Sequence, residues 1–191
     1  MVSSGLVDRV DVSHYRLAIH LVIAFIILSL IFWNYLNCKK IRQPYTKIRN
    51  ILPFCFIILL FIQLIMGAFV SGMDAGKIYN TWPLMGNSYF PDDNSIINLF
   101  KISSFSEPSL VQFFHRNLAY IIIIFYFFIF YQIYRKKISG YFKIINVIGV
   151  LLIFQVLLGI ATLLSGAQIL LSSVHQISSI FLITSSIYFL Y

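Results

Sequence analysis

Residues 111–137 read VQFFHRNLAYIIIIFYFFIFYQIYRKK, and this stretch decides the fold. From Val111 to Tyr134 it carries no acid and only His115 and Arg116 as basic groups, and Arg135, Lys136 and Lys137 then close it. A hydrocarbon core of about 30 Å is crossed by roughly 20 residues at 1.5 Å each. The run is therefore a membrane span whose basic end belongs in the cytoplasm. Four more runs of the same kind lie at 17–37, 51–71, 144–164 and 169–191. The expected fold is all-α, a polytopic membrane helical bundle of five transmembrane helices.

Composition agrees. The 191 residues are 60% apolar, 17% aromatic and 10% charged, with a mean hydropathy of +0.89. Soluble domains carry about 25% charged residues, so a water-facing exterior cannot be built from six acids and fourteen bases. The net charge of +8 does not point to nucleic acid, because the bases are confined to short segments between the apolar runs. Lys39, Lys40, Arg42, Lys47 and Arg49 fill the first such segment, and Arg135, Lys136, Lys137 and Lys143 the second, neither with an acid. Both loops are expected to face the cytoplasm. Residues 72–110 instead hold Asp74, Asp92, Asp93 and Glu107 against Lys77 and Lys101, and are expected outside. The chain then lies in the cell inner membrane, with its amino terminus and the SGAQ hairpin at 165–168 periplasmic and its carboxy terminus cytoplasmic. The first run is not a signal peptide, since mixed charge precedes it and it is too long for such a core. Cys38 and Cys55, the two cysteines, fall near the reducing side and form no metal-binding spacing.

The outer loop contains SGMDAGKIYNTWPLMGNSYFPDD (71–93), with Tyr79, Trp82, Tyr89 and Phe90 among Gly, Pro and Asn. Aromatic residues at this density favour the membrane interface. An ordinary interfacial loop and a lid over a buried ligand both fit. Glu107-Pro108-Ser109 marks a helix start.

A repeat links the spans. Gln63-x-x-x-Gly67 in the second run matches Gln155-x-x-x-Gly159 in the fourth, and each is followed by a span bearing a histidine. Residues four apart share a helix face, so Gln and Gly, continued by Ser71 or by Thr162, form a small polar stripe. Close helix packing and approach to a flat ligand call for the same residues.

His20, His115 and His175 each fall within the first two turns of an outside-to-inside span, roughly 5 to 8 Å below the outer interface. Ionisable side chains in spans are costly and mark ligands or pathways. No Cys or carboxylate shares that depth, so a zinc or iron–sulfur site has too few partners. Three readings remain: axial ligation of haem iron, interhelical hydrogen bonding, and a proton path. His14, about 240° round the helix from His20, is expected to be an exposed interfacial residue. Ser172, Ser179 and Ser186 form a narrow face near His175. Arg16 and Arg116 lie near the outer headgroups, to snorkel towards phosphate or to pair with haem propionates.

Four segments resemble one family in order along essentially the whole chain: SGLVDRVDVSHYRLAIHL, GAFVSGMDAGKIYNTWPLMGNSYFP, EPSLVQFFHRNLAYI and QVLLGIATLLSGAQILLSSVHQ. The family is the haem A synthases of the CtaA type, in their alphaproteobacterial and mitochondrial branch. DAGKIYNTWPLM and VQFFHRNLAY are the specific signals. The resemblance implies an oxidoreductase of two similar four-helix halves, serving cytochrome oxidase assembly by oxidising the C8 methyl of haem o to the formyl group of haem A with a haem b cofactor. It places haem b at His115 and His175 and gives the substrate haem o His20 as catalytic ligand; Arg116, next to His115, is then a cofactor-binding candidate. Residues 51–191 would form a carboxy-terminal four-helix haem-binding unit, and 1–50 a one-helix remnant of the amino-terminal half. The opening MVSSGLVDR resembles the end of the family's third span, so the sequence looks like an amino-terminally shortened member. A separate polypeptide supplying the preceding helices is then the expected partner, beside haem o, the lipid bilayer and an electron donor that the sequence does not name. The reading from another class is a non-catalytic membrane b-type haem-binding module.

Overall fold

The computed structural model describes residues 13–39 and 51–191. The opening segment MVSSGLVDR and the basic residues Lys40, Arg42, Lys47 and Arg49 lie outside the described residues. Five helices follow the five apolar runs: α1 His14–Cys38, α2 Ile51–Gly72, α3 Pro108–Arg135, α4 Phe142–Leu164 and α5 Ile169–Leu190. All are long and apolar enough to cross a membrane, and the described residues contain no strand. The chain is a multi-pass membrane protein. Helices satisfy this environment because every backbone donor and acceptor in the hydrocarbon must find its partner within the segment.

Helix α2 packs on α3, α3 on α4, α4 on α5, and α5 back on α2, so these four close into a ring. Helix α1 lies over the seam between α2 and α5. The ring is filled by Phe56, Ile122, Ile129, Ile133, Ile145, Ile148 and Ile183, all nearly or fully buried. A smaller cluster of Ala18, Met66, Ala68, Phe69 and Val111 joins α1, α2 and α3 near the ends where α1 and α3 begin. The outward faces are aliphatic and aromatic, as with Ile124 and Val150, which suits a hydrocarbon solvent rather than water.

A tight side-chain contact joins α3 to α4. The Tyr126 hydroxyl donates to the Ile145 carbonyl at 3.0 Å, and a Cβ built on Gly149 would lie 2.1 Å from that hydroxyl oxygen. Only glycine lets the tyrosine reach the neighbouring backbone. At the far end, Tyr191 reaches the Leu36 carbonyl at 3.4 Å and meets Trp33 edge-on, fastening α5 to α1. Cys38 and Cys55 are free thiols.

The α4–α5 turn falls where the SGAQ hairpin was expected. Gly166 and Ala167 take φ of +73° and +59°, and their amides return to the Leu163 and Thr162 carbonyls, closing the last turn of α4. The long connection between α2 and α3 contains three short 3₁₀ turns, Ala75–Lys77, Ile96–Phe100 and Ile102–Ser106. Pro108 then opens α3 with Glu107 before it, as the sequence signalled.

Candidate functional site

His20, His115 and His175 stand at comparable positions, in the second or third turn of α1, α3 and α5. Two of them are embraced by the repeat. The Gln63 amide nitrogen donates to the His115 carbonyl at 3.1 Å and stands 3.4 Å from the ring Nε2. A Cβ on Gly67, one turn along α2, would lie 3.2 Å from the imidazole Cε1. In the second copy the Gln155 amide donates to the Ser178 hydroxyl at 2.9 Å, and that hydroxyl donates to the His175 carbonyl at 3.1 Å. A Cβ on Gly159 would lie 3.3 Å from the His175 Cε1. Each pair thus uses the glutamine to hold the turn of helix bearing the histidine, and the glycine to leave room for the ring.

The imidazoles of His115 and His175 share one further feature. Each has a buried Nδ1 without a hydrogen-bond partner in the protein, and the Oε1 of Gln63 and the hydroxyl of Thr162 are likewise buried and unpartnered. Buried polar groups normally find partners, so polar atoms left open beside two histidines are donors and acceptors still free for a ligand. Among the described residues no three His, Cys, Asp or Glu side chains come together to hold a metal ion. A bare ion would need such a set, whereas iron in a porphyrin asks the protein for axial ligands alone. The donor set fits haem.

His20 does not join this arrangement: its side chain is exposed on α1. His14 departs from expectation. It is half-buried, packed edge-on against Phe69 with its Nε2 buried, because a Cβ on Gly72 would fall 2.8 Å from the His14 Cα, so α1 and α2 touch there. Beside the serine face near His175 stands a fourth serine with a different role. Ser178, not Ser172 or Ser179, meets Gln155, while Ser172, Ser179 and Ser186 return their hydroxyls to carbonyls of their own helix.

Arg116 neither reaches outward nor stands free. Its Nη1 donates to the Thr81 and Leu84 carbonyls at 2.9 and 3.2 Å, and its Nη2 to the Tyr79 carbonyl at 2.9 Å, while its Nε is buried without a partner. Gln112 donates to the same Tyr79 carbonyl, the Trp82 indole to the Tyr120 hydroxyl, and the Tyr89 hydroxyl to Asn117. Asn80 donates to the Leu163 carbonyl at the end of α4. The aromatic loop is therefore folded down across the helix ends and fastened to α3 and α4. Gln112 and Asn80 had no sequence signal, since their partners are backbone atoms far along the chain. In the loop itself, partial burial and the neighbouring Asp93 raise the Tyr79 phenol above its ordinary pKa.

A ring of apolar helices with paired histidines near one end defines a polytopic membrane protein with a candidate cofactor site between its spans. The profile of COX15-CtaA, cytochrome oxidase assembly protein, matches residues 1–187. The chain is 42% identical over 191 residues to "Heme A synthase" of Pelagibacter ubique (strain HTCC1062), covering 100% of this chain and 56% of that protein. It is 39% identical over 183 residues to the protein of that name from Maricaulis maris (strain MCS10), covering 95% and 54%. With that of Rickettsia prowazekii (strain Madrid E) it shares 33% over 195 residues, covering 100% and 58%. No solved structure matches the chain. The chain belongs to the COX15-CtaA family of cytochrome oxidase assembly proteins. It spans about half the length of the curated relatives it matches.

Proposed function

We propose that this chain serves haem A biosynthesis, with residues 51–191 as a four-helix haem-binding unit and His115 and His175 as the axial ligands of a haem b. The observation that carries this reading is the repeated Gln–Gly–His arrangement, with two ring nitrogens buried and unpartnered. When bound, haem b would supply reversible electron transfer for oxidising the C8 methyl of haem o to a formyl group. The protein's own residues position that group. Gln63 and Gln155 hold the histidine-bearing turns, Gly67 and Gly159 admit the ring edges, and the loop fastened by Arg116 covers the helix ends and limits water. Arg116 keeps one buried, unpartnered Nε for a ligand carboxylate. His20 is proposed as the ligand of haem o, on the exposed face of α1.

The orientation that goes with this reading puts the histidine end at the periplasmic side of the inner membrane. It is supported by the nine basic residues, with no acid, in the two short segments that separate the first run from the second and the third from the fourth.

A second reading, a b-type haem-binding module that does not itself oxidise haem o, is favoured by the exposure of His20. One axial bond leaves a porphyrin free to turn about it, and selecting one methyl requires orientation. On this reading a second polypeptide carrying further helices would complete the substrate site.

Purified chain reconstituted with haem b should show a low-spin, two-histidine spectrum. His115→Ala and His175→Ala should each abolish it or convert it to high spin. An unchanged low-spin spectrum in both variants overturns the ligand assignment. Haem extracted from a synthase-deficient host expressing the chain alone separates the two readings, haem A marking the enzyme and unconverted haem o the module.

A further inference from the structure

The segment joining the loop to α3 carries a patch that the histidine site does not use. Ile96, Ile97, Phe100 and Ile102 are 64, 71, 88 and 90% exposed, on two consecutive 3₁₀ turns. Their backbone is nonetheless fixed. Asn94 donates to the Ser109 hydroxyl at 2.8 Å and Asn98 to Asn94 at 3.1 Å. Ser104 is 1% exposed, Phe105 stacks on Phe114, and Ser106 shares a hydrogen bond with Tyr15 in the first turn of α1. A held segment that turns four large apolar side chains away from the protein is built to meet an apolar phase, since water-facing surfaces avoid such patches.

We propose that residues 96–105 form an in-plane membrane anchor, with Ile96, Ile97, Phe100 and Ile102 seated at the headgroup–acyl boundary of the leaflet at the histidine end. Length excludes crossing: each turn has five residues, or about 10 Å at 2.0 Å per residue, against a core of about 30 Å. Level is set by attachment. The segment ends at Glu107, immediately before α3, and Ser106 touches Tyr15 at the start of α1, so it lies where two spans enter the bilayer. The patch continues through half-exposed Tyr15 into the outward Ile19 and Ile23 of α1, an aliphatic face of a membrane span. The polar residues suit the same depth. Lys101, between the turns and bonded to Asn98 at 2.9 Å, carries its charge at the end of a long stem that can lift it to the headgroups. The anchor makes the loop over the histidines ride on the bilayer surface at one side while Arg116 fastens it at the other.

Spin labels at Ile97→Cys and Phe100→Cys, each in the 191-residue chain carrying Cys38→Ser and Cys55→Ala and placed in phosphatidylcholine–phosphatidylglycerol nanodiscs, test this. Both side chains are exposed, so the label displaces no core contact. Relaxation by lipid-soluble oxygen is expected to exceed that by a water-soluble nickel chelate several-fold at both positions. Relaxation dominated by the nickel chelate at both would mean an aqueous loop and overturn the proposal. Exclusion of both reagents would mean that a protein surface covers the patch, and would overturn it equally.

Discussion

Gln63 holds His115 through the histidine's own main chain: the carboxamide nitrogen donates to the His115 carbonyl at 3.1 Å and stands 3.4 Å from its Nε2. A glutamine in a span is costly unless its polar atoms are used, and here it fixes both a turn of α3 and the attitude of a ring. Gln63→Leu should lower stability by about 1 kcal/mol for the lost hydrogen bond. It should also shift the electron-resonance signature of reconstituted haem b without removing the haem, because the proposed ligand His115 remains but is no longer held. An unaltered signature would show that Gln63 does not position the ring.

Gly149 is a packing requirement rather than a flexible point. A methyl there would meet the Tyr126 hydroxyl oxygen at 2.1 Å, so Gly149→Ala should cost about 1–3 kcal/mol through overpacking, read by thermal unfolding in detergent. Adding Tyr126→Phe should recover part of that loss, since the clashing oxygen is gone. Additive losses in the double variant would contradict the contact.

Arg116 spreads two nitrogens over three loop carbonyls. Arg116→Ala should accelerate amide exchange across residues 79–84 by releasing the loop. Arg116→Lys should restore little of the protection, because a single ammonium cannot reproduce the planar fork. Equal protection in the lysine variant would show that charge alone fastens the loop.

The Tyr79 phenol donates to Asp93 at 3.0 Å, and burial together with that carboxylate raises its pKa. The neutral phenol is the form the folded loop favours. Its stabilisation is therefore complete below the unfolded value of about 10 and is lost as pH rises through the higher folded value. Exchange protection of the loop should fall in that alkaline range beyond the ordinary base-catalysed rise, and Tyr79→Phe should remove this extra step. A step of the same size in the variant would assign it to another group.

The five spans, the start of α3 at Pro108 and the turn at 165–168 were legible in the residues alone. Lipid demands an unbroken apolar run of fixed minimum length, and the chain punctuates those runs with charge, Pro and Gly. The Gln-x-x-x-Gly repeat was legible for the same kind of reason, because residues four apart share a helix face whatever surrounds them. Which partner each face meets was settled by tertiary structure. Ser178 rather than Ser172 or Ser179 receives Gln155, His14 turns onto α2 instead of outward, and Arg116 spends its donors on a loop more than thirty residues earlier. Periodicity fixes the angle of a residue around its own helix, but the rotation of one helix against the next depends on how side chains distant in sequence interlock, and glycines at 67, 72, 149 and 159 show their purpose only once the neighbouring helix stands against them.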